Sequence, residues 1–205
     1  MSETLEHSSK CRLLDAAVNV VRARGYAAAT IDDICREAGV TKGSFFHHFK
    51  GKDELAIEAA AHWDRNVSQL FANADFSRAK DPFERVLGYV DFRADLVKGE
   101  LPEFTCYLGT MVQEVYRTHP DIRVACQNAF KHHLDILEHD IAAAKDIYAP
   151  EASWTPRSVA EFIQAVLQGE FILAKAQQKP DTILTGLSHL RRYLLTIFNQ
   201  PAEGT

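Results

Sequence analysis

The stretch from Ala38 to Lys52 contains no acidic residue, yet it holds Lys42, Lys50 and Lys52 together with His47 and His48. Cations gathered without counter-ions are the electrostatic footprint of a surface that faces phosphate. Thr41, Lys42 and Ser44 add hydroxyls and an ammonium that can reach phosphate oxygens or base edges, and Gly43 between them leaves room for close backbone approach. This is the chemistry of binding, with no covalent step. Catalysis has no matching arrangement: there is no G-x-x-x-x-G-K, no G-x-S-x-G and no H-E-x-x-H, so the chain is not expected to be an enzyme. Cys11, Cys35, Cys106 and Cys126 form no C-x-x-C and are expected as reduced thiols. Among His119, Cys126, His132, His133 and His139, only Cys126 and His133 are spaced to share a helical face. Two ligands do not make a metal site, and neither metal nor cofactor is expected.

The elements that must position these residues follow from apolar spacing. Apolar residues recur at helical intervals almost throughout and strand-like alternation is rare, which predicts an all-α chain of about nine helices. A first helix runs from just after Ser8-Ser9 to Gly25. Thr30 followed by Asp33 has capping-box spacing and opens a second helix over residues 31–38, which Gly39 closes. Thr41 is the next N-cap and starts a short third helix over residues 42–49. Gly51 breaks it, and Asp53-Glu54 open a longer fourth helix. Two short helices across a Gly-containing turn, with a third beneath, form a helix-turn-helix whose second short helix enters the major groove. Ile31, Ile34, Ala38, Val40, Phe45 and Phe49 have the spacing of its small core. Downstream, Pro82, Pro102, Pro120, Pro156 and Pro180 each open an apolar-periodic stretch, so five further helices are expected.

Length and charge agree with this division. The 205 residues suffice for one sizeable core or two small ones. Residues 1–56 carry 8 basic and 8 acidic side chains, so the net charge of −5 lies wholly downstream. Two domains are expected, residues 1–52 for DNA and residues 53–205 for effector binding and dimerisation. Met1 to Lys10 is polar and lacks the pattern of a signal peptide, and no apolar run is long enough for a bilayer. A cytoplasmic protein without membrane contact is expected.

The run from Thr30 to Leu55, TIDDICREAGVTKGSFFHHFKGKDEL, resembles the signature of the TetR family of transcriptional regulators. The match is close over roughly residues 10–56, and the later helices are similar to the family in number, length and order. The resemblance implies a repressor that binds double-stranded operator DNA through Thr41, Lys42, Gly43, Ser44, Phe46 and His47. It also implies phosphate clamps at Thr30 and at Lys52 with the following helix N-terminus. Phe46 departs from the tyrosine common at that position, losing a hydroxyl but keeping a ring for a thymine methyl or the sugar backbone. His48 is expected in solvent. One such unit reads only a few base pairs, so a homodimer with recognition helices about 34–36 Å apart and a palindromic operator follow.

The last two helices, near residues 156–178 and 180–199, carry more apolar surface than one core-facing stripe needs. By resemblance they pair with a second copy, and Phe162, Val166, Phe171, Leu187, Leu190 and Leu194 are the interface candidates. Between them and the DNA unit, Phe92, Phe104, Cys106, Tyr107 and Phe130 are candidates to line a pocket for a small-molecule effector. The segment from Phe104 through Gly109, with Gln113-Glu114 and residues 119–123, resembles a TetR subgroup that includes reactive-electrophile and aldehyde sensors. Cys106 at a helix start is then either a modifiable thiol or an inert buried cysteine. The reading that unites these features is a ligand-responsive transcriptional repressor released by an inducer; an activator would share every residue named. The alternative is a TetR-fold module for ligand or protein binding without sequence-specific DNA recognition, which Phe46 and the neutral N-terminal charge leave open.

Overall fold

The computed structural model describes residues 8–200, and among them there are ten α-helices, one 3-10 helix and no strand. The helices are α1 (Ser9–Arg24), α2 (Ile31–Ala38), α3 (Lys42–His48), α4 (Lys52–Asn73), α5 (Pro82–Asp95), α6 (Leu101–Phe104), α7 (Tyr107–Val115), α8 (Pro120–Tyr148), α9 (Pro156–Gln177) and α10 (Asp181–Ile197), with the 3-10 helix at Asp75–Arg78. The count exceeds nine because the helix expected from Pro102 is broken. α6 is a single turn, then Cys106 adopts an extended conformation (φ −80°, ψ 124°) and caps α7 through its sulfur, which accepts from the Gly109 N–H at 3.4 Å. No helix among the described residues is long and apolar enough to cross a membrane.

The chain divides into two compact units, the described part of Met1–Val67 with Thr105–Phe130, and Ser68–Phe104 with residues 131–200. These units follow the cores, whereas the expected boundary at Lys52 followed the order of the chain. In the first unit, Leu13, Val21, Ile34, Phe45, Phe49 and Leu55 share one core with Tyr107, Met111 and Ile122. The capping residues hold the short helices in register. Ser8 accepts from Cys11 N–H, Thr30 and Asp33 complete a reciprocal capping box, and Thr41 accepts from Ser44 N–H. Gly39 ends α2 in the left-handed region (φ 62°), the conformation that reverses the chain toward α3.

In the second unit, α10 packs against α5 and α9, and the 3-10 helix packs on α5. Four of the expected interface residues belong to this core: Phe171, Leu187, Leu190 and Leu194 are buried within the subunit. α9 and α10 each carry two apolar stripes, and periodicity cannot say which one faces inward. The Glu170 side chain lies over Gly186, where no side chain intervenes, and the Leu187–Leu190–Leu194 stripe faces into the subunit. The stripe left outside is Phe162, Ile172, Leu173, Leu184 and Tyr193, with Val166 half-buried beside it.

Candidate nucleic-acid interface

α3 is only seven residues long, and its orientation comes from below. Phe45 is 0% exposed and Phe49 1%, their rings 5.7 Å apart, while Phe46 on the opposite face is 57% exposed. Thr41, Lys42, Gly43, Phe46 and His47 all lie on the exposed side, with Ser44 half-buried. Because the Thr41 hydroxyl accepts from Ser44 N–H at 3.2 Å, its own hydrogen is left to point outward. Lys42 Nζ sits 2.7 Å from Asp32 Oδ1 on α2, which raises the pKa of its ammonium. Both partners are solvent-exposed, so a phosphate can displace the carboxylate. A Cβ on Gly43 would meet nothing closer than Thr41 Oγ1 at 3.7 Å, so the room it leaves lies outside the protein.

Three residues differ from their expected surroundings. The Thr30 hydroxyl donates to Asp33 Oδ2 at 2.6 Å and accepts from Asp33 N–H at 3.1 Å, so the cap uses it within the protein. That bond from Thr30, followed by the Thr30 N–H, the Arg24 charge and the Arg36 hydrogen bond, holds the Asp33 carboxyl below the usual carboxylate range against the effect of burial. Lys52 Nζ donates to the carbonyls of Tyr26 at 2.9 Å and Ala29 at 3.0 Å and lies 4.2 Å from the Tyr26 ring centroid. It fastens the α1–α2 connector, leaving one of its three N–H groups for an outside acceptor. His48 is not a solvated residue: it is half-buried and bonded through Nε2 to Ser9 Oγ at 2.7 Å, and desolvation lowers its pKa.

The same connector engages residues that the sequence did not pair with it. Glu114 on α7 accepts from Tyr26 N–H at 3.0 Å and Ala27 N–H at 2.9 Å, one bond on each carboxylate oxygen. The Tyr26 hydroxyl donates to Asp53 on α4, and burial, then this bond, raise its pKa. The Tyr26 ring meets the His119 ring edge-on at 5.4 Å. Glu114 is 88 residues from Tyr26 along the chain, and no local signal announces such a pairing. Among the described residues a further cluster, Cys11, Asp15 and His62, brings potential ligand atoms within 4.8 Å of one another. Its centre is the 2.7 Å contact between Asp15 Oδ1 and His62 Nε2, which joins α1 to α4.

The second unit contains a cavity of about 120 Å³ walled by Phe71, Phe76, Val86, Tyr89, His133 and Leu137, with Arg85 and Asp140 at its edge. None of the five expected effector residues lines it. Phe92 stands behind its wall, 5.5 Å from Phe71 and 5.6 Å from Phe76 between ring centroids. Phe104 ends α6. Cys106, Tyr107 and Phe130 belong to the first unit, Tyr107 fully buried with its hydroxyl donating to the Ala56 carbonyl at 3.3 Å. Aromatic content alone drew attention to these residues; the cavity depends on which rings face each other across α4, α5 and α8.

Burial, with the Arg93 charge second, pushes the His133 imidazole down to about 3. An unfolded histidine titrates near 6.5. Between these values the unfolded chain binds a proton that the folded chain refuses, so stability falls as pH falls through the window, by up to about 1.4 kcal/mol per pH unit. Urea midpoints at pH 7, 6 and 5 should drop more steeply for the wild type than for His133→Phe. Parallel slopes in the two proteins would contradict a neutral buried His133.

Residues 13–59 match the model for bacterial regulatory proteins of the tetR family, and residues 82–186 match the C-terminal domain model of LmrA/YxaF-like transcriptional regulators. The HTH-type transcriptional regulator LmrA of Bacillus subtilis is 24% identical over 186 residues, covering 86% of this chain and 91% of LmrA. The transcriptional regulator AcuR of Cereibacter sphaeroides is 22% identical over 193 residues, covering 94% and 87%. Among solved structures, reduced NemR of E. coli superimposes with a TM-score of 0.78 at 19% identity, covering 91% of this chain and 96% of NemR. A regulatory protein TetR from Rhodobacter sphaeroides gives 0.79 at 21% identity, covering 93% and 99%.

Proposed function

Because this chain belongs to the TetR family of bacterial transcriptional regulators, we propose that it is a ligand-responsive repressor that binds a palindromic operator as a homodimer and is released by a small-molecule inducer. One observation carries this reading: a capped, seven-residue helix is anchored by buried Phe45 and Phe49 while Thr41, Lys42, Gly43, Phe46 and His47 face outward from it. α3 enters the major groove, where Thr41, Lys42, Ser44 and His47 donate to phosphates or base edges, Gly43 admits the backbone and Phe46 supplies an apolar contact. Thr30 and Lys52 act mainly by holding the connector, and the remaining Lys52 N–H meets a phosphate. This DNA-binding part comprises residues 1–52, and residues 53–205 bind the effector and dimerise in the cytoplasm.

The exposed stripe of Phe162, Ile172, Leu173, Leu184 and Tyr193, with Val166, is the surface for the second copy; Phe162 and Tyr193 already pack at 4.8 Å between centroids. The effector occupies the cavity of the second unit. It acts only through a higher affinity for the conformation whose two recognition helices are wrongly spaced. α4 and α8, which each begin in one unit and end in the other, are the levers.

Fluorescence anisotropy against the protein's own upstream DNA and a scrambled control, across a range of salt, tests this directly. Wild type is expected to bind the first selectively, and Lys42→Ala to weaken binding while reducing the salt slope by about one. Equal, weak binding to both DNAs, with no preferred sequence returned from a genome-wide selection of fragments, would favour a ligand-binding or interaction module instead.

A further inference from the structure

Proton bookkeeping around Tyr89 narrows the chemistry of the molecule that fits the cavity, an inference that rests on the effector reading above. The Tyr89 oxygen receives Arg93 Nε–H at 3.0 Å and Gln164 Nε2–H at 3.1 Å, and lies 2.9 Å from His133 Nε2. A phenol has two acceptor lone pairs and one hydrogen. The two donors occupy the lone pairs, so the hydrogen goes to His133, whose Nε2 must accept it. A neutral imidazole that accepts at Nε2 carries its own proton on Nδ1. No second hydrogen bond to this ring is found among the described residues, although the ring is 9% exposed and lines the cavity. The Nδ1–H is therefore a donor in need of an acceptor, inside a largely apolar space.

The cation on the cavity wall, Arg85, is already paired. Arg85 Nε donates to Asp140 at 2.8 Å and Arg85 Nη1 to the Ala79 carbonyl at 2.9 Å. The Arg93 guanidinium stacks 4.7 Å from the centroid of the Phe71 ring and spends its Nε on Tyr89. Arg93 is not part of the cavity wall, so an anionic ligand would bury its charge without an unpaired cation on the wall to meet it, which is unfavourable. Size adds a bound: about 120 Å³ compares with the roughly 150 Å³ of an engineered apolar cavity that takes benzene. Three aromatic walls, Phe71, Phe76 and Tyr89, favour a flat guest that can meet them by face or edge.

We propose that this cavity selects an uncharged, one-ring aromatic molecule bearing a hydrogen-bond acceptor such as a carbonyl, which accepts from His133 Nδ1–H. Three probes of similar size separate the elements of the proposal: acetophenone has ring and acceptor, ethylbenzene has the ring alone, and benzoate has ring and charge. Titrated into the full-length protein by calorimetry, acetophenone is expected to bind about fivefold to tenfold tighter than ethylbenzene, the worth of one neutral hydrogen bond, with benzoate weakest. His133→Phe keeps the apolar volume and should erase the difference between the first two probes. Ala72→Trp, at an exposed position on the rim, should block both, and its melting curve will show whether the fold is kept. Equal wild-type affinities, tightest binding of benzoate, a preference that survives His133→Phe, or no binding of acetophenone would each overturn the proposal. The effector reading fails separately: acetophenone bound with the expected preference but without any effect on operator anisotropy would remove it and leave the ligand class standing. Release of operator by compounds that do not compete with acetophenone would do the reverse.

Discussion

Phe45→Ala is expected to lower the stability of the first unit by about 3–5 kcal/mol, a large share of the roughly 5–15 kcal/mol that holds a domain folded. Phe45 is 0% exposed and packs edge-on to Phe46 at 5.1 Å and against Phe49 at 5.7 Å, so its loss opens a cavity in the core. The readout is urea unfolding followed by Trp63 fluorescence in a Trp154→Phe background, so that the tryptophan of the first unit reports alone. Phe46→Ala is the matched control. Its ring is mostly in water, so stability should change by no more than about 0.5 kcal/mol while operator affinity falls. A small loss in Phe45→Ala would mean that α3 is positioned by something other than this ring, and the interface drawn around it would have to be redrawn.

The second large effect concerns the connector. Gly25 has φ +83° and ψ 162°, a region open essentially to glycine alone, and a Cβ there would lie 3.1 Å from Glu114 Cδ and closer still to Oε1. Gly25→Ala therefore combines backbone strain with expulsion of the carboxylate that accepts from Tyr26 and Ala27, and should cost about 2–4 kcal/mol. Glu114→Ala alone should cost about 1–3 kcal/mol, because two N–H groups lose a charged acceptor. The double variant is the informative one. The Glu114 bonds can be lost only once, so the two penalties should fall short of additive by about 1 kcal/mol or more. Full additivity would show that Gly25 matters for its backbone angle alone and that Glu114 keeps its grip on the connector when residue 25 carries a Cβ. Either single variant should also weaken operator binding, since the connector sets where α2 and α3 begin.

Local chemistry was legible in the chain because it acts over three or four residues. The Thr30/Asp33 capping box, the Thr41 cap, the Gly39 reversal and the alternation of Phe45, Phe46 and Phe49 all read correctly, since a helix end or a helix face is decided by neighbours in sequence. Cys106 shows where that reading stops. Its place at a helix start was visible, but the break before it was not, since an extended residue between α6 and α7 depends on what Tyr107 and Met111 pack against.

The sequence by itself determined the helical class, the order of the N-terminal helices and the outward chemistry of α3, because periodicity and capping are properties of short segments. Only the tertiary structure decided which apolar stripe of α10 faces inward: Leu187, Leu190 and Leu194 are buried where α10 packs on α5 and α9. It alone decided that Lys52 serves the connector through Tyr26 and Ala29, and that Glu114 reaches back 88 residues to Tyr26. The cavity is of the same kind: Phe71, Tyr89 and His133 come from three helices, and Tyr89 meets His133 across 44 residues. Such partnerships leave no period in the sequence, since a side chain's hydrogen-bond partners and burial are set by where whole helices dock against one another.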